Sequence, residues 1–92
     1  MSTSGMLQDK HAVVFGGGGS IGAAVAQELA TEGAEVFLAG RSLTSVEVVA
    51  KQITAAGGQA HAEVVDALDA AAVDDYLAAV VQQAGSIEIQ FN

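Results

Sequence analysis

The chain carries the stretch VVFGGGGSIG at residues 13–22. Four consecutive glycines, Gly16 to Gly19, separate a short apolar run from an alanine-rich segment of helical periodicity that begins at Ile21. Glycine permits positive φ and lets a phosphate group approach the main chain closely. A helix that starts just after the glycines offers free N–H groups and the positive end of its dipole to such an anion. The stretch therefore predicts a strand, an anion-binding turn and a helix.

The four glycines have two alternative interpretations. Gly17 and Gly22 have the G-x-x-x-x-G spacing of the P-loop that binds nucleoside triphosphates. Alanines occupy the next two positions, however, where a P-loop needs lysine and then serine or threonine. The second alternative is a glycine-rich turn without a ligand. Four glycines lose backbone entropy on folding and supply no side-chain packing, so we expect a turn alone not to require them.

Outward from this stretch, β-branched runs alternate with segments of helical period. Strands are predicted at 11–16, 35–39, 59–65 and 87–91, and helices at 21–32, 43–57 and 69–84. This alternation predicts an α/β fold of Rossmann type, with a parallel sheet in the order 3-2-1-4. The first two helices should cover one face and the third helix the other. A ligand is expected outside the carboxyl ends of the strands, where the order reverses between strands 1 and 4.

The helices carry their own start signals and apolar stripes. The first helix is expected to bury a stripe of three apolar residues, Ile21, Val25 and Leu29. Thr44 and Glu47 have the spacing of a capping box at the start of the second helix. Asp69 is expected to cap the third helix, whose stripe includes Val80 and Val81.

Length and composition exclude several classes of protein. The 92 residues are enough for a single domain, predicted over 1–92 with a flexible segment at 1–8. A net charge of −8 with only three basic residues argues against binding to nucleic acid or to an anionic membrane surface. The absence of cysteine excludes disulfides and thiolate metal sites. No long apolar run and no secretory signal are visible, so a cytoplasmic location is expected.

The glycine stretch resembles the motif of the short-chain dehydrogenase/reductase family, T-G-x-x-x-G-x-G. Gly16, Ile21 and Gly22 match that motif, whereas Phe15 replaces its threonine and Ser20 replaces its middle glycine. Phe15 lacks the hydroxyl that would hydrogen-bond in the family. Ser20 requires ordinary backbone angles unless the preceding glycine takes over the turn.

Three further segments resemble the amino-terminal half of the same family. Residues 22–36 are similar to its first helix and the start of its second strand. Asp66, at the end of the third predicted strand, matches an aspartate that contacts the adenine amino group. Residues 85–92, GSIEIQFN, resemble the G-x-I-D-I-L-V-N segment, so that Asn92 opens the N-N-A-G motif. The resemblance covers nearly the whole chain.

The resemblance implies a dinucleotide site on named residues. It assigns the pyrophosphate to the turn and helix start, Gly16, Gly18, Ser20, Ile21 and Gly22. It places Asp66 at the adenine with Ala67 beside it, and Asn92 at the cleft near the nicotinamide-side ribose. The implied activity is hydride transfer between a nicotinamide dinucleotide and a small carbonyl or alcohol substrate.

The residues after the second strand indicate which dinucleotide binds. A carboxylate about 20 residues beyond the glycines would bind the ribose 2′-hydroxyl of NAD, but Gly40 occupies that position. Arg41 and Ser42 follow, and an arginine pairs well with the 2′-phosphate of NADP. We therefore expect NADP(H) to be favoured over NAD(H). The alternative is a solvated arginine at a strand end.

The residues that perform the family's chemistry are missing from this sequence. The family needs a serine, a tyrosine and a lysine four residues after the tyrosine. The single tyrosine is Tyr76, and Val80 stands where the lysine would be. The sequence therefore predicts no catalytic residue here. We expect the chain to be the cofactor-binding half of an oxidoreductase, truncated after strand 4, and to be inactive alone.

The histidines and the tyrosine are weaker candidates for a functional role. His11 and His61 are fifty residues apart without a carboxylate in ligand-like spacing, so no metal site is predicted. Tyr76 is expected to pack on the protein surface or be half-buried. The alternative functions are a non-catalytic dinucleotide-binding module and an interaction domain with a vestigial turn. Because strand 4 would be an uncovered edge, we expect the isolated chain to associate, as a homo-oligomer, or to aggregate, unless its natural form is longer.

Overall fold

A computed structural model of the protein describes residues 5–92. The elements it contains are β1 (His11–Phe15), α1 (Ser20–Thr31), β2 (Glu35–Gly40), α2 (Leu43–Ala55), β3 (Gln59–Val64), α3 (Ala70–Ala84) and β4 (Ile89–Phe91). The four strands form one sheet in the order β3-β2-β1-β4, and every pairing is parallel. The predicted α/β fold and its strand order are confirmed.

The register of β1 creates the reversal at which a ligand was expected. On one side β1 pairs with β2 from His11 opposite Glu35 to Phe15 opposite Ala39. On its other side β1 pairs with β4, from Ala12 opposite Ile89 to Val14 opposite Phe91. The chain therefore leaves β1 towards β2 and returns to the opposite side, so a gap opens beyond the carboxyl ends of β1 and β4.

The core has two layers, one on each face of the sheet. Alternate strand residues on one face pack against α1 and α2, with Val14, Val36, Leu38 and Val46 fully buried. The other face packs against α3 through a second set, Val13, Phe15, Phe37, Ala39, Val65 and Val80. Strands buried on both faces are typical of parallel sheets. Helices thus cover both faces, as the sequence predicted.

The first helix does not bury the stripe expected for it. Ile21 is 72% exposed, and the buried residues of α1 are Gly22 and Ala26. Leu29 is partly buried and packs at the margin of the core. The prediction for Ile21 is wrong because α1 approaches the sheet through small residues, which turns its first large side chain outward. Val81 of α3 is likewise 44% exposed, whereas Val80 is buried.

The starts of the helices agree only in part with the sequence. Asp69 caps α3, since its carboxylate accepts a hydrogen bond from the Ala72 N–H at 3.1 Å. The capping box at Thr44 is wrong, because the residue that caps α2 is Ser42. The second helix begins one residue before Thr44, and a residue inside a helix cannot adopt the extended angles of a cap. The fourth strand begins at Ile89 rather than at 87.

The segment before β1 is tied to the end of α1. The N–H groups of Gly5 and Leu7 donate to the carbonyl oxygen of Glu32, at 2.9 and 2.7 Å. Residues 1–4 of the segment expected to be flexible lie outside the described residues, and that expectation stays a prediction. No helix within residues 5–92 has the length and apolar character needed to cross a membrane.

Candidate functional site

The glycine turn, residues 16–19, is hydrogen-bonded to the end of the neighbouring strand β2. The N–H groups of Gly16 and Gly17 both donate to the carbonyl oxygen of Ala39 in β2, at 2.8 and 3.2 Å. The turn closes with a hydrogen bond from the Gly19 N–H to the Gly16 carbonyl at 3.0 Å. Gly16 alone of the four has a positive φ, +73°, so the left-handed step comes at the first glycine and not beside Ser20.

Packing already requires most of these glycines. A Cβ on Gly22 would lie 2.2 Å from the carbonyl oxygen of Gly16, so the helix start presses directly on the turn. Added Cβ atoms would also meet the side chain of Leu38 at Gly17 and that of Ser45 at Gly18, at 2.7 and 2.6 Å. Packing therefore accounts for Gly17, Gly18 and Gly22 and the positive φ accounts for Gly16, whereas neither space nor φ requires a glycine at position 19. Any evidence for an anion must come from the start of the helix.

The start of α1 lacks the side-chain cap that the other two helices have. Its N-cap residue is Gly19, which has no side chain to accept a hydrogen bond, whereas Ser42 and Asp69 cap α2 and α3. Ser20 and Ile21 at this start are exposed. The first N–H groups of a helix have no partner within the helix, and they carry the positive end of its dipole. This arrangement suits an anion that approaches the turn.

A small cleft of about 190 Å³ lies between the turn and the start of α2. It is lined by Gly16, Gly18, Gly19, Gly40, Arg41, Ser42, Ser45 and Val46. The structure thus places Arg41 and Ser42 beside the glycine turn, although more than twenty residues separate them in sequence. Ser45 lines the same cleft and was not singled out from the sequence. Its position three residues after a helix cap could have indicated it.

A second cleft, of about 400 Å³, opens on the other side of the turn. It is lined by Phe15, Gly16, Ala67, Val73, Gln90 and Asn92. Ala67 and Asn92 therefore line one cleft beyond the carboxyl ends of β1 and β4, and Gly16 borders both clefts. Asp66 is exposed and lines neither cleft. Its carboxylate accepts a hydrogen bond from the Leu68 N–H at 2.9 Å, which fixes the loop that carries Ala67.

Another cleft, of about 460 Å³, lies elsewhere, between β3 and α3. Tyr76 lines it and packs edge to face against Phe15, with ring centroids 6.0 Å apart. Burial, together with the nearby charge of Glu63, raises the pKa of Tyr76 well above its usual value. Tyr76 is thus a packing residue whose hydroxyl stays protonated at neutral pH, and it does not adjoin the glycine turn.

The two histidines approach one carboxylate, that of Glu35, towards the amino end of the sheet, which we call the amino edge. His61 Nε2 lies 2.6 Å from one carboxylate oxygen of Glu35, and His11 Nε2 lies 3.7 Å from the other. His11 Nδ1 also lies 3.2 Å from Glu88. The hydroxyl of Ser86 and the main-chain N–H of His11 hydrogen-bond to Glu88 and lower the pKa of its carboxyl. The spacing of these residues in the sequence does not indicate this network. The parallel register of the strands brings its residues together.

The amino-edge network is not arranged as a metal site. Among residues 5–92, no group of three or more histidine, cysteine, aspartate or glutamate side chains is placed to hold an ion. The network joins residues of all four strand regions and lies at the end of the sheet away from both clefts beside Gly16.

Comparison with known proteins relates the chain to one family. Residues 10–92 match the family model for short chain dehydrogenase. An uncharacterized oxidoreductase of Mycobacterium tuberculosis, MT0954, is 47% identical over 60 residues, which are 65% of this chain and 23% of that protein. The short-chain dehydrogenase/reductase homolog YusS of Bacillus subtilis is 39% identical over 91% of this chain and 78% of the relative.

Solved structures agree with this result. The citronellol catabolism dehydrogenase AtuB of Pseudomonas aeruginosa superposes with a TM-score of 0.91 at 32% identity, over 95% of this chain and 36% of that one. A metagenomic short-chain oxidoreductase in complex with NADP gives 0.87 at 31% identity, over 90% of this chain and 38% of the other. The chain spans 23% and 31% of the first two curated relatives. It belongs to the short-chain dehydrogenase/reductase family.

Proposed function

We propose that this chain is the dinucleotide-binding half of an oxidoreductase that transfers hydride between NADP(H) and a carbonyl or alcohol. The observation that carries the proposal is the uncapped start of α1, set against Gly16 at the reversal of strand order. A pyrophosphate would supply the acceptors that the other two helices obtain from their own caps. The bound cofactor would supply the hydride chemistry.

The two clefts beside Gly16 support a ligand that spans the turn. The cleft with Arg41 and Ser42 would hold the adenosine ribose and its 2′-phosphate. The cleft with Ala67 and Asn92 would take the portion that runs towards the nicotinamide. Ser20, Ile21 and Gly22 would serve the pyrophosphate between them. Asp66 would reach the adenine from its exposed position above Ala67.

The preference for NADP(H) over NAD(H) is supported by charge and by space. No carboxylate stands at position 40, and a Cβ on Gly40 would lie 2.8 Å from the Val46 side chain, so an aspartate there would be crowded. Arg41 provides a fixed positive charge beside the cleft. One similar protein of known structure is described as a complex with NADP.

Chemistry is expected to need residues that this chain does not contain. No tyrosine is followed four residues later by lysine, and Tyr76 packs against the core. We therefore propose that the chain alone binds cofactor without turning over a carbonyl or alcohol. A cytoplasmic location and self-association through the β4 edge remain part of this proposal.

Titration calorimetry of the purified chain with NADPH and NADH tests the function. We expect NADPH to bind more tightly, without oxidation in the presence of simple carbonyl compounds. If both dinucleotides fail to bind, the interaction-domain alternative replaces the proposal. Binding without turnover, followed by turnover when a carboxyl-terminal half from a relative is supplied, would favour the enzyme over a purely non-catalytic module.

A further inference from the structure

Ser45 makes two hydrogen bonds to one atom of the residue that caps its helix. Its hydroxyl donates to Ser42 Oγ at 3.3 Å, and its main-chain N–H donates to the same oxygen at 3.4 Å. Ser42 is therefore held by its neighbour one turn along α2. Both side chains line the small cleft beside Arg41.

This hydrogen-bond pattern leaves the Ser42 hydroxyl available only as a donor. A hydroxyl oxygen has two lone pairs and one proton. The two hydrogen bonds from Ser45 occupy the lone pairs, so the hydroxyl of Ser42 is left as a donor. A hydroxyl that accepts hydrogen bonds is also a stronger donor, since linked hydrogen bonds polarise one another. A donor beside an arginine suits a ligand rich in acceptor oxygens, such as a phosphate monoester.

Ser45 also sets the width of the cleft. A Cβ on Gly18 would lie 2.6 Å from Ser45 Cβ and 3.3 Å from its carbonyl carbon. The glycine turn therefore rests directly against the first turn of α2 at Ser45. The residue that orients the Ser42 hydroxyl is thus the one that positions the turn opposite it.

We propose that Ser45 is a specificity-determining positioning residue, which directs the Ser42 hydroxyl towards the 2′-phosphate of the dinucleotide. This inference rests on the proposed function and names a determinant that acts on one phosphate only. Ser45 acts through Ser42, so it should favour NADPH and leave the affinity for NADH unchanged.

Calorimetry of the Ser45→Ala variant with both dinucleotides tests the proposal. The loss of one hydrogen-bonded support should weaken NADPH binding about three- to tenfold and leave NADH binding within about twofold. Thr44→Ala is the matched control, because it removes a hydroxyl from the same helical turn outside the cleft. It should change neither affinity.

A second background separates positioning from a merely structural effect. Ser42→Gly removes the hydroxyl on which Ser45 acts, with little cost to the helix start. In that background, adding Ser45→Ala should leave NADPH affinity unchanged. Equal losses for the two dinucleotides, or a full Ser45→Ala effect in the Ser42→Gly background, would overturn the role of Ser45 and leave the proposed function standing. Failure of the parent chain to bind either dinucleotide would overturn both.

Discussion

The carbonyl oxygen of Gly16 lies 2.2 Å from the point where a Cβ on residue 22 would stand. This relationship joins the end of β1 to the first turn of α1 and sets the distance between strand and helix. Because the backbone fixes the position of a Cβ, only a shift of the helix or of the turn could relieve this contact.

Gly22→Ala is therefore expected to destabilise the fold. Alanine gains up to about 1 kcal/mol of helix propensity over glycine, but overpacking against a main-chain carbonyl costs about 1–3 kcal/mol or more. The clash should win, and chemical denaturation should show a lower free energy of unfolding. Gly57→Ala is not a fair control, because its φ is +95°. Gly19→Ala is better, since its Cβ would have a neighbour only at 3.5 Å.

Gly19→Asp should change stability and affinity in opposite directions. Gly19 has extended backbone angles, φ −83° and ψ 165°, which aspartate adopts without strain. The carboxylate would cap α1 and interact with the helix dipole, and together these should raise the free energy of unfolding by about 0.5–1 kcal/mol. It would also occupy the N–H groups proposed for the pyrophosphate and repel it, so NADPH should bind at least tenfold more weakly.

The uncharged variant Gly19→Asn separates those two effects. It should cap the helix similarly while repelling the dinucleotide less. If the melting temperature rises in both variants and NADPH affinity is unchanged in both, the start of α1 is not the pyrophosphate site.

Arg41→Ala should weaken NADPH selectively. A charge-assisted hydrogen bond contributes about 1.5–3 kcal/mol, which corresponds to roughly ten- to 150-fold in affinity. NADH lacks the 2′-phosphate, so its affinity should change little. The NADPH affinity of the parent chain should also fall more steeply with salt than that of the variant. Equal affinity of the variant and the parent for NADPH would contradict the assignment.

Glu88→Gln should lower stability at neutral pH but not in acid. The pKa of Glu88 in the folded chain is below its ordinary value of 4.5, because its charged form accepts hydrogen bonds from Ser86 and His11. The stabilisation from this carboxylate is therefore fully present above pH 4.5, the ordinary pKa. It is lost as the pH falls below 4.5 and through the lower pKa of the folded state. Melting temperatures of variant and parent should converge in that acid range. Glu47→Gln, at an exposed position of α2, serves as control.

The order of the strands was predictable because it depends on local patterns and general chirality. Short apolar runs and helical segments alternate, and right-handed crossovers then allow few topologies. The packing and capping of individual side chains at the site were harder to predict from the sequence. Ile21 fits a helical stripe in sequence, but the close approach at Gly22 turns it outward. Thr44 fits a capping box, yet Ser42 has the extended angles that a cap requires.

Contacts between residues far apart in the sequence could not be predicted from their spacing alone. His11 and His61 share Glu35 only because the strands align in a particular parallel register. Likewise, Ser45 lies against Gly18 because the glycine turn packs on the start of α2. Such geometry is set by the packed sheet and not by neighbours in the sequence.

The amino-edge network also has a kinetic consequence. β4 has three residues and pairs with β1 alone, but its beginning is fastened by the contacts of Glu88 with His11. Opening fluctuations of β4 should therefore be smallest at its beginning, where Glu88 holds it to the first residue of β1. A ligand seated against Gln90 and Asn92 would restrain the rest of the strand and slow amide exchange along it.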